Sequence, residues 1–121
     1  HCEGELWCVF GCGGDRDKGK RRQMGEIASR VADHTMITDD NPRSESSSVI
    51  TGEILKGAAV KKDVQVVTDR RSAILKVLGE ASNKDTVLIA GKGHEEYQEI
   101  NGKKYSFSDY KVVEDFVSQM R

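Results

Sequence analysis

A single proline stands against twelve glycines in 121 residues. That scarcity excludes a proline-rich disordered chain and favours regular elements joined by glycine turns. Aromatic residues make up only 6%, and none lies in the most basic stretch, residues 16–22, so RNA would find no stacking platform there. Neither sign of charge is in excess: 19 basic residues oppose 20 acidic, a formal net charge of −1. Such balance gives no global attraction to nucleic acid or to an anionic membrane. No apolar run approaches the roughly 20 residues of a membrane span. The cysteines number three, too few and too odd for a disulfide framework. They read as reduced thiols of a cytoplasmic protein. No Cys-x-x-Cys or His-x-x-x-His spacing supports a zinc site, and no metal site is expected. The chain opens at His1 and soon enters a strand-like run, with no secretory signal ahead of it, which reads as a piece of a longer protein.

What is present is an alternation of short apolar runs with helix-period segments. Leu6-Trp7-Cys8-Val9-Phe10 is a continuous apolar run ended by Gly11, as in a strand covered on both faces. Met24, Ile27, Ala28 and Val31 then fall at i, i+3, i+4 and i+7, which predicts one inward face of a helix. Residues 34–38, 64–68 and 86–90 read as further strands, and helices are expected over 45–56 and around Ile74, Val77, Leu78 and Ala81. Trp7, Phe10 and Met24 are expected in the core, and His34 is read as structural. Asn101-Gly102 joins two short polar strands and is a strong hairpin signal, because both positions tolerate positive φ. Ser108 is placed to cap a last helix carrying Val112, Val113, Phe116, Val117 and Met120 inward. The order predicts one α/β domain over residues 1–121, a three-layer Rossmann-like arrangement with a mostly parallel sheet and an antiparallel edge hairpin.

In such a fold every strand-to-helix loop lies at the carboxyl edge of the sheet, where ligands bind. The unusual residues of this sequence fall in those loops. In the first, residues 14–20 match the start of a phosphate-cradling G-x-x-x-x-G-K loop. Arg21, however, stands where a magnesium-binding Ser or Thr is required, so a self-sufficient P-loop is rejected. Cations at a helix start are disfavoured by the dipole, and an anionic ligand would offset that cost. The second loop sets Asp40, Asn41 and Arg43 around Pro42. A guanidinium forks onto a carboxylate, and Asp and Asn oxygens accept from an ammonium, so the set suits the head of an amino acid. A plain turn with Asn41 as cap explains the same residues. The fourth loop, Gly91-Lys92-Gly93-His94-Glu95, adds a further acceptor and free backbone N–H groups.

Taken together, residues 9–21 (Val-Phe-Gly-Cys-Gly-Gly-Asp-Arg-Asp-Lys-Gly-Lys-Arg), Asp40-Asn41-Pro42-Arg43 and Ala90-Gly-Lys-Gly-His-Glu95 resemble the C-terminal domain of the Mur ligases of peptidoglycan synthesis. The resemblance is strongest to the branch that adds meso-diaminopimelate to UDP-N-acetylmuramoyl-L-alanyl-D-glutamate. It implies one domain of a three-domain ATP-dependent ligase. In that enzyme the γ-phosphate of ATP activates the substrate carboxylate, and the amine of the incoming amino acid attacks the acyl phosphate. It implies diaminopimelate contacts from Arg16, Asp40, Asn41, Arg43, Gly91 and Glu95, with Pro42 shaping the loop. It further implies that Asp15 and Lys18 reach the nucleotide on closure, that no catalytic residue lies in this domain, and that ATP, Mg2+ and the UDP-N-acetylmuramoyl-dipeptide are held mainly by the other domains. The isolated chain is expected to fold without ligating. The alternative is a stand-alone α/β module that binds an anionic metabolite or nucleotide.

Overall fold

The computed structural model describes residues 4–14, 19–58, 63–92 and 95–119. Four strands, β1 (Leu6–Phe10), β2 (His34–Ile37), β3 (Asp63–Val66) and β4 (Thr86–Ile89), form one parallel sheet in the order β3-β2-β1-β4. Trp7 lies beside His34 on one side and Val87 on the other, which fixes the register. Helices α1 (Gly19–Val31), α2 (Ser47–Leu55), α3 (Arg70–Glu80) and α4 (Asp109–Gln119) cover the two faces in pairs, α1 with α2 and α3 with α4. The three-layer α/β arrangement is thus the one the element order implies.

Strand alternation divides the core in two. Trp7, Val9 and Met36 point to the α3/α4 face and pack with Ala73, Ile74, Val77 and Val112. Phe10 and Ile37 point to the other face and pack with Ile50 and Ile54 of α2. Helix α1 departs from expectation. Its apolar stripe is not core: Met24 is 41%, Ile27 52% and Val31 65% exposed. With Leu6 and Leu88 they line an open apolar groove beside β4. The helix instead turns Arg21, Gly25 and Ser29 inward. The reason is electrostatic and steric. Arg21 reaches Glu53 on α2 and Glu45 in the loop that precedes it, and Gly25 sits so close to the Ile54 carbonyl that any side chain would collide with it.

The hairpin β5 (Tyr97–Ile100) and β6 (Lys103–Ser106) is antiparallel, with Asn101 (φ 51) and Gly102 (φ 77) supplying the two positive-φ turn positions. It stands as a two-stranded sheet of its own and meets the second loop by a bridge between Arg43 and Ile100. Ser108 caps α4 by accepting from the Lys111 N–H. On α4 Val112 is buried, Val117 is 41% exposed, and Met120 lies outside the described residues. Among the described residues no helix is long and apolar enough to cross a membrane.

Candidate functional site

Strand β1 has β2 on one side and β4 on the other, and the chain reverses direction across the sheet between them. The carboxyl ends of β1 and β4 therefore bound a topological switch point, the crevice where open α/β sheets bind ligands. A cleft of ≈ 360 Å³ opens there, lined by Gly11, Cys12, Gly13, Lys20, Asp40 and Gly91.

The first and second loops are locked together by backbone contact. The Gly14 N–H donates to the Asn41 carbonyl at 2.7 Å, and a Cβ on Gly14 would collide with the Pro42 carbonyl. Pro42 is buried in this contact. Arg43 follows in the left-handed region, φ 53. A bulky residue held there costs on the order of 1 kcal/mol or more and persists only where the surroundings impose it. Here they do. The Arg43 N–H donates to the Glu99 carbonyl, and the Asn101 N–H donates to the Arg43 carbonyl. Its guanidinium donates through Nη1 to the Gly14 carbonyl at 3.0 Å and pairs through Nε with Glu99 at 3.4 Å.

Lys92 is the centre of the assembly. Its side chain is 0% exposed and its Nζ lies 3.0 Å from Asp40 Oδ1, 3.1 Å from Asn41 Oδ1 and 3.0 Å from the Tyr97 carbonyl. Glu95 Oε1 lies 3.7 Å away. Asn41 also accepts from the Glu99 N–H at 2.8 Å and donates through Nδ2 to Glu95 at 3.4 Å. The Asp40 carbonyl accepts from Gln98 Nε2. Gly91, at φ 115, brings its backbone against the Asp40 carboxylate.

Asp40, Asn41, Pro42, Arg43, Gly91 and Glu95, chosen from sequence, are therefore brought into one cluster. Arg16, Asp15 and Lys18 lie outside the described residues, as do Gly93 and His94. Two expectations are corrected. The ammonium that Asn41's oxygen accepts from is the chain's own Lys92. And Arg21, read with the basic stretch as a partner for an anionic ligand, is 1% exposed and bound by Glu45, Glu53 and the Gly13 carbonyl. It is neutralised from within.

Sequence reasoning passed over Lys92, Gln98 and Glu99. A lysine between two glycines at a strand exit was the available signal for the first, whereas nothing local marks the hairpin as a wall of the site. Arg70, which the sequence places with Asp69 and Arg71 in the third strand-to-helix loop at the ligand edge, is buried: it forks onto Asp109 at 2.8 Å and donates to the Asp39 and Ala90 carbonyls, tying the exits of β2 and β4 to α4. Cys12 lies in a setting that disfavours its thiolate. Burial, reinforced by Asp40 and opposed by Arg21, pushes its thiol up to about 11.

Comparison with known proteins decides the family. Residues 1–93 match the family described as Mur ligase, glutamate ligase domain. The chain belongs to the Mur ligase family. This Mur ligase domain is 49% identical over 114 residues to a Pseudomonas putida protein named UDP-N-acetylmuramoyl-L-alanyl-D-glutamate–2,6-diaminopimelate ligase, covering 94% of the chain and 23% of that protein. A Haemophilus influenzae protein of the same name is 47% identical over 117 residues, covering 97% of the chain and 24% of the relative. A solved structure bearing that ligase name superposes with a TM-score of 0.94 at 42% identity, over 99% of this chain and 25% of that one. The Mur ligase domain thus spans about a quarter of the length of these relatives.

Proposed function

We propose that residues 1–121 are the C-terminal, amino-acid-presenting domain of a three-domain ATP-dependent ligase that adds meso-diaminopimelate to UDP-N-acetylmuramoyl-L-alanyl-D-glutamate. The observation that carries this reading is the convergence of Asp40, Asn41, Arg43, Gly91 and Glu95 in one cluster at the switch point, in a chain whose relatives bear that ligase name. Arg43 takes the distal carboxylate of diaminopimelate, the group that lysine lacks. Asp40 and Glu95 accept from the ammonium, Gly91 offers backbone, and Pro42 holds the loop. Arg16 is a further contact, and Asp15 and Lys18 meet the nucleotide on domain closure.

The domain's own part in the reaction is to orient and desolvate the incoming amine, so that it meets an activated carboxyl group already in position. Such positioning converts an encounter between two solutes into an intramolecular step. The described residues do not fit ATP or Mg2+. No group of three or more His, Cys, Asp or Glu among them is arranged to hold a metal. Arg21 replaces the P-loop hydroxyl and its two terminal nitrogens are held by Glu45, Glu53 and the Gly13 carbonyl. Nucleotide and metal are accordingly assigned mainly to parts of the ligase beyond this chain, with Asp15 and Lys18 reaching the nucleotide only on closure, and the chain alone is expected to form no amide.

The test is ligation by the full-length enzyme with diaminopimelate and with lysine. Arg43→Ala is expected to lower kcat/KM for diaminopimelate by about a hundredfold or more, because a site built for a carboxylate loses its donor, and to leave the poor rate with lysine little changed. Undiminished incorporation of diaminopimelate would overturn the assignment. Nucleotide binding by the chain with indifference to diaminopimelate would favour a stand-alone binding module.

A further inference from the structure

We propose that Lys92 is a positioning residue of the amino-acid site: its buried ammonium orients the Asn41 amide so that Asn41 offers N–H donors, and not its carbonyl, to the ligand. An ammonium carries three donors and no acceptor. All three of Lys92's have partners, at Asp40 Oδ1, Asn41 Oδ1 and the Tyr97 carbonyl. No proton is left over for a substrate, so Lys92 acts through its neighbours.

The orientation of Asn41 follows without ambiguity. One end of its amide faces Lys92 Nζ at 3.1 Å and the Glu99 N–H at 2.8 Å. Both are donors, so that end must be the oxygen. The NH2 end is turned to Glu95 Oε1 at 3.4 Å, and the Glu95 side chain is 40% exposed. The inference rests on the amino-acid-site reading and sharpens it. Asn41 joins Arg43 on the carboxylate-binding side, while Asp40 and Glu95 remain as the acceptors for an ammonium. Lys92 also keeps Asp40 and Glu95 from repelling each other before an ammonium arrives.

Two measurements on Lys92→Met and Lys92→Arg test this. In the 121-residue chain, NMR of the Asn41 side-chain amide reports its orientation with no ligand present. Lys92→Met is expected to shift that NH2 signal and speed its exchange with water. In the full-length ligase, Lys92→Met is expected to raise KM for diaminopimelate about tenfold or more, with KM for ATP unchanged. Lys92→Arg keeps the charge and the donors and is expected to fall between wild type and Lys92→Met in both readouts. It carries the test should Lys92→Met fail to fold. An Asn41 amide signal unchanged in both variants would overturn the proposal. So would an equal rise of KM for ATP and diaminopimelate, which marks a merely structural lysine. A wild-type ligase indifferent to diaminopimelate would sink the functional reading instead, and the ligand-free amide signal would still judge Lys92.

Discussion

The two faces of the sheet combine apolar burial and buried charge in different proportions. On the α3/α4 face the apolar cluster runs unbroken from Trp7 and Met36 to Ile74 and Val112. On the α1/α2 face the buried apolar cluster is four residues, Phe10, Ile37, Ile50 and Ile54, and Arg21 fastens α1 to Glu53 of α2 and to Glu45 in the loop before it. Apolar burial is non-directional and tolerates sliding. A multiply bonded guanidinium fixes position. The face that relies on the guanidinium is also the one that carries the first loop, whose Gly13 carbonyl Arg21 holds at 3.0 Å. Each face has a buried guanidinium, Arg21 here and Arg70 forked onto Asp109 on the other, but on the α1/α2 face it takes the place of much of the apolar contact.

Arg21→Met breaks this contrast most severely. It leaves Glu45 and Glu53 facing a buried apolar chain, and removing one side of a buried ion pair costs about 3–5 kcal/mol. We expect a loss of that order in urea unfolding of the chain. Replacing Glu45 and Glu53 with leucine alongside Arg21→Met should return most of it, since a matched apolar set of similar volume is often neutral. A triple variant as unstable as the single one would show that the close contact at Gly25, and not charge, fastens α1.

The second comparison concerns a charge at the amino end of the apolar face. His34 stacks on Trp7 at 3.9 Å and bonds Asp63 and Glu5 through its two ring nitrogens. Burial pushes its pKa down, but the hydrogen bonds and charges of Glu5 and Asp63 outweigh that and raise it above the ordinary 6.5. A raised folded-state pKa means that the protonated ring stabilises the fold. That contribution is complete below the unfolded pKa and is lost as pH rises through the folded one. Stability should therefore decline modestly as pH rises above 6.5 and through the folded-state pKa, and His34→Gln should flatten the decline. An unchanged slope in His34→Gln would assign the pH dependence to other groups.

These contrasts also mark what could be read from the sequence. Strands β1 and β4 are continuous apolar runs, and Asn101-Gly102 can scarcely be anything but a tight turn; such local signals survive folding. The role of a charge is not local. Arg21 reads as one of a basic cluster until Glu53, 32 positions away, is seen against it. Lys92 meets Asn41 across 51 positions. Met24 and Ile27 keep a perfect helical period, yet the period says only that one face is apolar, not that anything covers it. The loop motifs converge in space because the carboxyl edge gathers them whatever the strand order. The left-handed Arg43 and the hairpin wall escaped because both are imposed by contacts between loops.

The smallest expected effect is at the groove beside α1. Ile27 is 52% and Leu88 53% exposed, so neither gives up much buried area when truncated. Ile27→Ser should change the stability of this chain by no more than about 0.5 kcal/mol, as for ordinary surface substitutions. The same change at fully buried Ile74 would empty a core position and cost several-fold more, about 2–5 kcal/mol. Urea midpoints of the two variants measure the asymmetry between the faces directly. A loss above about 1 kcal/mol for Ile27→Ser would mean that the groove is closed in solution. Apolar burial would then hold both faces, and Arg21 would be an addition to that adhesion and not its replacement.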